Sequence, residues 1–267
     1  MKQKEIKEVI TNHIDVMNSL LHKISHEFNA EDIHHFRVEV KKLRAFLRLL
    51  TAGAKPEGPL LPENLKSLYG YVGIIRNIQL HRHHLFKYLN EKKLDKPQEY
   101  FNMLEAEEDY WKKKVQELLR ENNLTEKLND QFPVKLEKFT IKKFAEEKLN
   151  VLDQQLHFLK NDSIHTIRKI MKDLLYTHDY IKNSSELPEA LSGKKNLKLL
   201  AIQLGHFRDK CIQLEFLSHE YIDLLKIENE KIVLNDLKQE LQDEKRILVR
   251  QLTPYLNKLT EQLITEH

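Results

Sequence analysis

The residues best placed to do chemistry in this chain are basic and recur in two ordered rows. His34, Arg37, Lys41, Arg44 and Arg48 fall at spacings of three, four, three and four. His165, Arg168, Lys169 and Lys172, with Tyr176 after them, repeat the opening of that pattern. On an α-helix the first row shares an arc of about 80°. Ile33, Phe36, Val40, Leu43, Leu47 and Leu50 fill the neighbouring arc. The cations therefore border the core-facing stripe. A solvated charged face lies opposite that stripe and mixes signs. Here the arc holds no acid, with Glu39 and Lys42 on the outer side. Like charges along one edge repel, by a few tenths of a kcal/mol per neighbouring pair, and a bound polyanion relieves that repulsion. The chemistry implied is recognition of an anion by charge-assisted hydrogen bonds, from the planar fork of Arg and the mobile ammonium of Lys. Each row opens near a helix N-terminus, which adds backbone donors.

A second pair of signatures lies further along. Lys66 stands seven residues before Gly73, and Arg76 three after it; Lys198, Gly205 and Arg208 repeat the spacing. The offset is 131 residues between the histidines (34 to 165) and 132 between the glycines (73 to 205). Glycine is scarce here, at 6 of 267 residues, and still falls in register. A glycine inside a helix costs about 1 kcal/mol against alanine. Two benefits justify one, close helix packing or room for a ligand oxygen, and packing is the expected reason. The clusters Lys112-Lys113-Lys114 and Lys245-Arg246 also correspond, as groove extensions or as exposed charge.

The elements that must hold these rows are helices. The 7 prolines and few glycines, with abundant Leu, Lys, Glu and Ile, favour long ones. Apolar periodicity predicts helices over about 4–27, up to Leu50 behind the caps Asn29 and Asp32, from Pro62 to Asn90, and from Pro97 to Glu121. Ala52 to Pro59 reads as a loop, and the stretch from Asn122 to Pro133 as part of a linker. Helices follow over about 137–160, from the cap candidates Asn161-Asp162-Ser163 to before Asn183, from Ser192 to Leu225, and from Glu228 onward. Nothing reads as a strand. The expected fold is all-α: a single domain over 1–267, with repeat one at about 1–121, a linker at about 122–136 and repeat two at about 137–267. Duplication predicts two four-helix bundles about a pseudo-twofold axis.

Composition limits other functions. Lys and Arg number 44 against 41 Asp and Glu, a net charge of +3, so anion binding depends on where charges sit. Cys211 is the one cysteine, which excludes an intrachain disulfide and reads as a small packed residue. No signal peptide or membrane-spanning run is read, so a soluble, cytoplasmic protein without membrane attachment is expected. The run His81-Arg82-His83-His84 reads as a solvated turn with no acid ligands beside it, so no metal site and no cofactor are expected. Trp111 reads as packing, as do Phe36, Phe46, Phe86 and Phe101, which leaves no stacking platform for RNA or single-stranded DNA.

These residues resemble the CHAD family, the conserved-histidine α-helical domains. The family's His-x-x-Arg-x-x-x-[Arg/Lys]-[Arg/Lys]-x-Arg signature is met by His34, Arg37, Lys41, Lys42 and Arg44. In the second copy His165, Arg168, Lys172 and Tyr176 fit, whereas Leu175 and Asp173 depart from it. The family's Leu-Gly-x-x-x-Asp is met by Leu204, Gly205 and Asp209; its Gly-x-x-Arg-Asp is met by Gly73 and Arg76, with Asn77 replacing Asp. The resemblance implies two four-helix bundles around a central basic channel, binding of inorganic polyphosphate, and targeting to polyphosphate granules. A binder rather than an enzyme is expected. The alternatives are a phosphate-chain enzyme using His34 or His165, a nucleic-acid module, and a scaffold docking acidic proteins. No Gly-rich phosphate loop and no Glu-x-Glu-x-Lys motif supports the first of these.

Overall fold

Apolar residues three and four apart build nearly every element. The computed structural model describes residues 1–53, 61–121, 132–157, 161–183 and 187–265. Among them the long helices are α1 (Gln3–Glu27), α2 (Ala30–Thr51), α3 (Glu63–Lys92), α4 (Gln98–Glu121), α5 (Lys138–His157), α6 (Asn161–Ile181), α8 (Lys194–Phe216) and α10 (Glu228–Thr265). Single turns α7 (Glu189–Ser192) and α9 (His219–Ile222) complete the order. No strand occurs among the described residues, only an isolated bridge between Lys2 and Lys135. None of these helices is long and apolar enough to cross a membrane.

Local signals set the boundaries around the first basic row. Phe28 ends α1 at φ 49°, its N–H bonded to the Ile24 carbonyl, and the buried ring holds this unfavourable backbone in place. Asn29 then caps α2, its side-chain oxygen accepting from the N–H groups of Glu31 (2.8 Å) and Asp32 (3.4 Å). This places His34 in the first turns of α2.

Helix α2 packs on α1, α3, α5 and α6; α6 packs on α5 and α8; α3 carries α4, α8 carries α10, and α3 touches α8. The basic helices α2 and α6 thus lie against each other at the centre. All six residues of the expected apolar arc of α2 are buried, and so are Ala45, Phe46 and Leu49 on another side, which the contact with α6 and α5 requires.

The core draws on both halves of the chain. One cluster joins α1, α2, α5 and α6 to the first parts of α3 and α8 and the end of α10. The other joins the later part of α3 and α4 to Phe216, Leu217 and the start of α10. The halves are clasped by exchanged caps as well: Glu230 accepts from the N–H groups of Glu99 and Tyr100, and Glu99 accepts from those of Lys226 and Ile227. One element differs from the sequence reading: the helix expected to run from Ser192 to Leu225 stops at Phe216. The Tyr100 hydroxyl donates to the Phe216 carbonyl at 2.8 Å, satisfying an oxygen that the helix no longer uses. Residues 54–60, 122–131 and 158–160 lie outside the described residues. The rest of the expected linker is not loose, because Phe132 and Leu136 are buried and Leu136 N–H bonds the Met1 carbonyl.

Candidate anion-binding site

The rows from the two halves meet where α2, α3, α6 and α8 come together. Lys41, on α2, is surrounded by Arg37, Arg168, Lys172 and Asp209. Burial and these cations push its ammonium down to about 7. Lys172 is likewise lowered by burial, then by Arg168 and Lys198. His34 is lowered by burial and by Arg76. His165 is lowered by burial, then by Lys169, Arg208 and Arg168. Among the described residues, Arg37, Lys41, Arg44, Arg76, Arg168, Lys169, Lys172 and Lys198 form no ion pair, although Lys and Arg are paired with carboxylates at many places elsewhere. Nε of Arg76, Nε of Arg168 and Nδ1 of His165 are buried without a hydrogen-bond partner.

Arg37 is the exception to this freedom. Its Nη1 donates to the Tyr69 carbonyl at 2.8 Å, and its guanidinium carbon lies 4.4 Å from the Tyr69 ring centroid. Arg44 stands over the same ring at 5.0 Å. The arrangement requires Gly73: a Cβ there would lie 1.9 Å from Arg37 Nη1. The glycine is thus a bed for the arginine, one turn beyond Tyr69. Gly205 differs, since a Cβ built on it meets nothing within 4 Å. Packing, the expected reason for both glycines, holds for Gly73 alone.

Three of the expected binding residues, Arg48, Lys66 and Arg208, are already neutralised. Arg48 donates two bonds to Asp173, at 2.9 and 3.1 Å, and Lys148 adds a third at 2.6 Å. The acid missing from the α2 arc is therefore supplied by α6 at this outer end. Lys66 pairs with Glu63 at 2.6 Å, and Arg208 with Glu215 at 2.8 Å. Tyr176 is packed below Lys172, whose Nζ lies 5.7 Å from the ring, and burial raises the phenol to about 12. Asp209 is raised by burial, against the opposing pull of Arg168, His206, His84 and Lys41.

The flanking regions correct further expectations. His81 is not in a solvated turn: it is 1% exposed within α3, stacks on Phe216 and bonds the Tyr100 hydroxyl at 2.9 Å. Burial pushes it down to about 3, so it is neutral. Arg82 beside it pairs with the buried Glu108. Phe36, Phe46 and Phe101 are buried as expected, whereas Phe86 is exposed. Trp111 packs against both core clusters. Lys112 and Lys114 are ion-paired, and so is Arg246. Lys245 lines a groove with His165, Arg208 and the half-buried Cys211. Among the described residues no group of three or more His, Cys, Asp or Glu is placed to hold a metal ion.

Sequence reasoning missed Tyr69, whose signal was its place four residues before Gly73, on the same side of α3. It also missed Lys148, which nothing in the spacing distinguishes from the other lysines of α5. In chemical terms the cluster is a set of cations without ion pairs, drawn from both halves of the chain and in part withdrawn from water, with the acid Asp209 among them.

No curated protein matches the chain. The profile of the CHAD domain matches residues 8–218, which takes in both basic rows, both glycines and the helices that bring them together. With most of the chain matched and the signature residues in place, the protein belongs to the CHAD domain family.

Proposed function

We propose that the protein binds inorganic polyphosphate along a basic channel between α2, α3, α6 and α8, without altering the chain chemically. The observation that carries this reading is the convergence of free cations from both halves, Lys41 with Arg168 and Lys172 above all. Family membership adds to it. Unpaired, desolvated cations at close quarters repel, and a ligand with one anionic group after another offsets that repulsion along a track. Polyphosphate presents no bases, so no aromatic platform is required. Of the rings in the cluster, Tyr69 is covered by Arg37 and Arg44 and Tyr176 lies beneath Lys172, which disfavours base stacking and so nucleic acid.

The same reading takes the chain as two four-helix units related by a pseudo-twofold axis. Its support is the repeated order of contacts. Helices α1, α2, α3 and α4 pack each on the next, with α4 returning to α1; α5, α6, α8 and α10 do the same. The protein acts in the cytoplasm, at polyphosphate granules.

The test is a titration of labelled polyphosphate against wild type and Arg76→Gln/Arg168→Gln at two salt concentrations, with helicity monitored. Log affinity is expected to fall with log salt at about −0.7 per phosphate neutralised. The variant is expected to bind far more weakly with its fold intact. An unchanged isotherm contradicts the site. Shortening of polyphosphate by catalytic amounts of protein with Mg²⁺ or Mn²⁺ contradicts the binder reading.

A further inference from the structure

We infer that Gly205 marks a phosphate subsite: the side of α8 around it is left without a side chain so that one phosphate group of the bound chain can lie against the helix, between the cations of α6 and Lys198. The inference rests on the polyphosphate reading and locates one contact within it. Lys198, Gly205 and Asp209 are seven and four residues apart and share one face of α8. That face is turned toward the basic row of α6, because Lys198 acts on Lys172 and Arg168 acts on Asp209.

Glycine is among the poorest helix formers, so a glycine in the middle of a 23-residue helix needs a reason. The usual one, close packing, is ruled out by the geometry, since a Cβ at Gly205 meets no atom within 4 Å. At the corresponding Gly73 the equivalent space is filled by the guanidinium of Arg37. At Gly205 no arginine lies down. Arg168, the counterpart of Arg37, instead has its Nε buried without a partner. The second half thus keeps open the space beside the helix that the first half fills with its own cation. A multiply anionic group there is drawn by Lys198 and the cations of α6, against the repulsion of Asp209 one turn further on. The backbone N–H of Gly205 is spent within the helix, so the gain is room and cation reach, not a backbone bond.

The experiment measures affinity for labelled polyphosphate of fixed length, together with Tm, for wild type, Gly205→Ala and Gly205→Leu. Both substitutions put a side chain into open space, and alanine also favours the helix, so Tm is expected to hold or rise. Affinity is expected to fall for Ala and to fall further, by about tenfold, for Leu, the loss of roughly one charge-assisted contact. Wild-type affinity in both variants overturns the subsite while leaving the polyphosphate reading standing. If Leu perturbs the helix, the Ala variant decides on its own. Failure of the wild type to bind polyphosphate overturns both.

Discussion

The two basic rows share a sequence pattern and differ in what their arginines do. In the first half Arg37 lies flat on Gly73, tied to the Tyr69 carbonyl and ring. In the second half Arg168 has no such bed, and Gly205 faces open space. At the outer ends the contrast reverses. The first half supplies a cation, Arg48, and the second supplies the acid that neutralises it, Asp173. A duplicated motif does not carry a duplicated contact: one arginine has become part of the helix packing, and its counterpart lies against no glycine.

The sharpest way to break this comparison is to remove free and paired cations separately. Lys41→Gln/Arg168→Gln/Lys172→Gln is expected to weaken polyphosphate binding by about a hundredfold or more, from the loss of several charge-assisted contacts. Arg48→Gln/Lys66→Gln removes two charges already engaged by Asp173 and Glu63, and is expected to change affinity by less than about threefold. Equal losses in a titration at matched salt would mean that total charge, not placement, drives binding.

Two aspartates on α6 sharpen the contrast on the scale of stability. Asp173 is 9% exposed in its side chain and accepts from both Arg48 and Lys148. Asp173→Ala is expected to cost about 2 kcal/mol, read as a Tm lowered by roughly 4–8 °C. Asp179, 60% exposed and paired with Lys194, is expected to cost no more than about 0.5 kcal/mol on the same change. A smaller effect separates the glycines. Gly73→Ala gains about 1 kcal/mol of helix propensity but displaces Arg37 from its charged hydrogen bond, for a net loss of about 1 kcal/mol. Gly205→Ala meets no atom and is expected to gain, by up to about 1 kcal/mol. Thermal melts of both that shift together would erase the distinction.

Much of this was legible in the sequence, for definable reasons. The long helices follow from apolar residues at one spacing, and the inner placement of Arg37, Lys41 and Arg44 follows from the arc they share with that stripe. What periodicity cannot carry is contact between elements. The Arg48–Asp173–Lys148 group joins α2, α6 and α5, so no single helix announces it. His81 sits in a run of four basic residues that looks solvated, and only the approach of Tyr100 and Phe216 buries it. The break after Phe216 has no Gly or Pro beside it; a hydroxyl from α4 satisfies it. The glycine register was visible from spacing alone, but whether each glycine is filled depends on a side chain more than thirty residues away, as Arg37 is from Gly73.

The last contrast is between lysine and histidine as the carrier of pH dependence. The histidines that open the rows, His34 and His165, are both held below their ordinary 6.5 by burial and nearby cations, so they are neutral at pH 7 and titrate on the acid side. Lys41, among Arg37, Arg168, Lys172 and Asp209, is brought down to about 7. A polyanion favours the charged ammonium, so affinity is expected to fall as pH rises through 7, by up to about tenfold per pH unit if this contact is essential. The ligand-free protein should show the opposite slope. In the unfolded chain Lys41 returns to its ordinary 10.5. Between about 7 and 10.5 the unfolded state binds the extra proton, so this residue's contribution to stability rises with pH across that window and is flat below it. Lys41→Arg keeps the charge at every pH in this range, and is expected to remove the fall in affinity between pH 6 and 8 while leaving tight binding in place. Lys41→Met should flatten the stability slope as well. An affinity profile that persists unchanged in Lys41→Arg would return the proton to the histidines, and with it the centre of the site to the ends of the two rows.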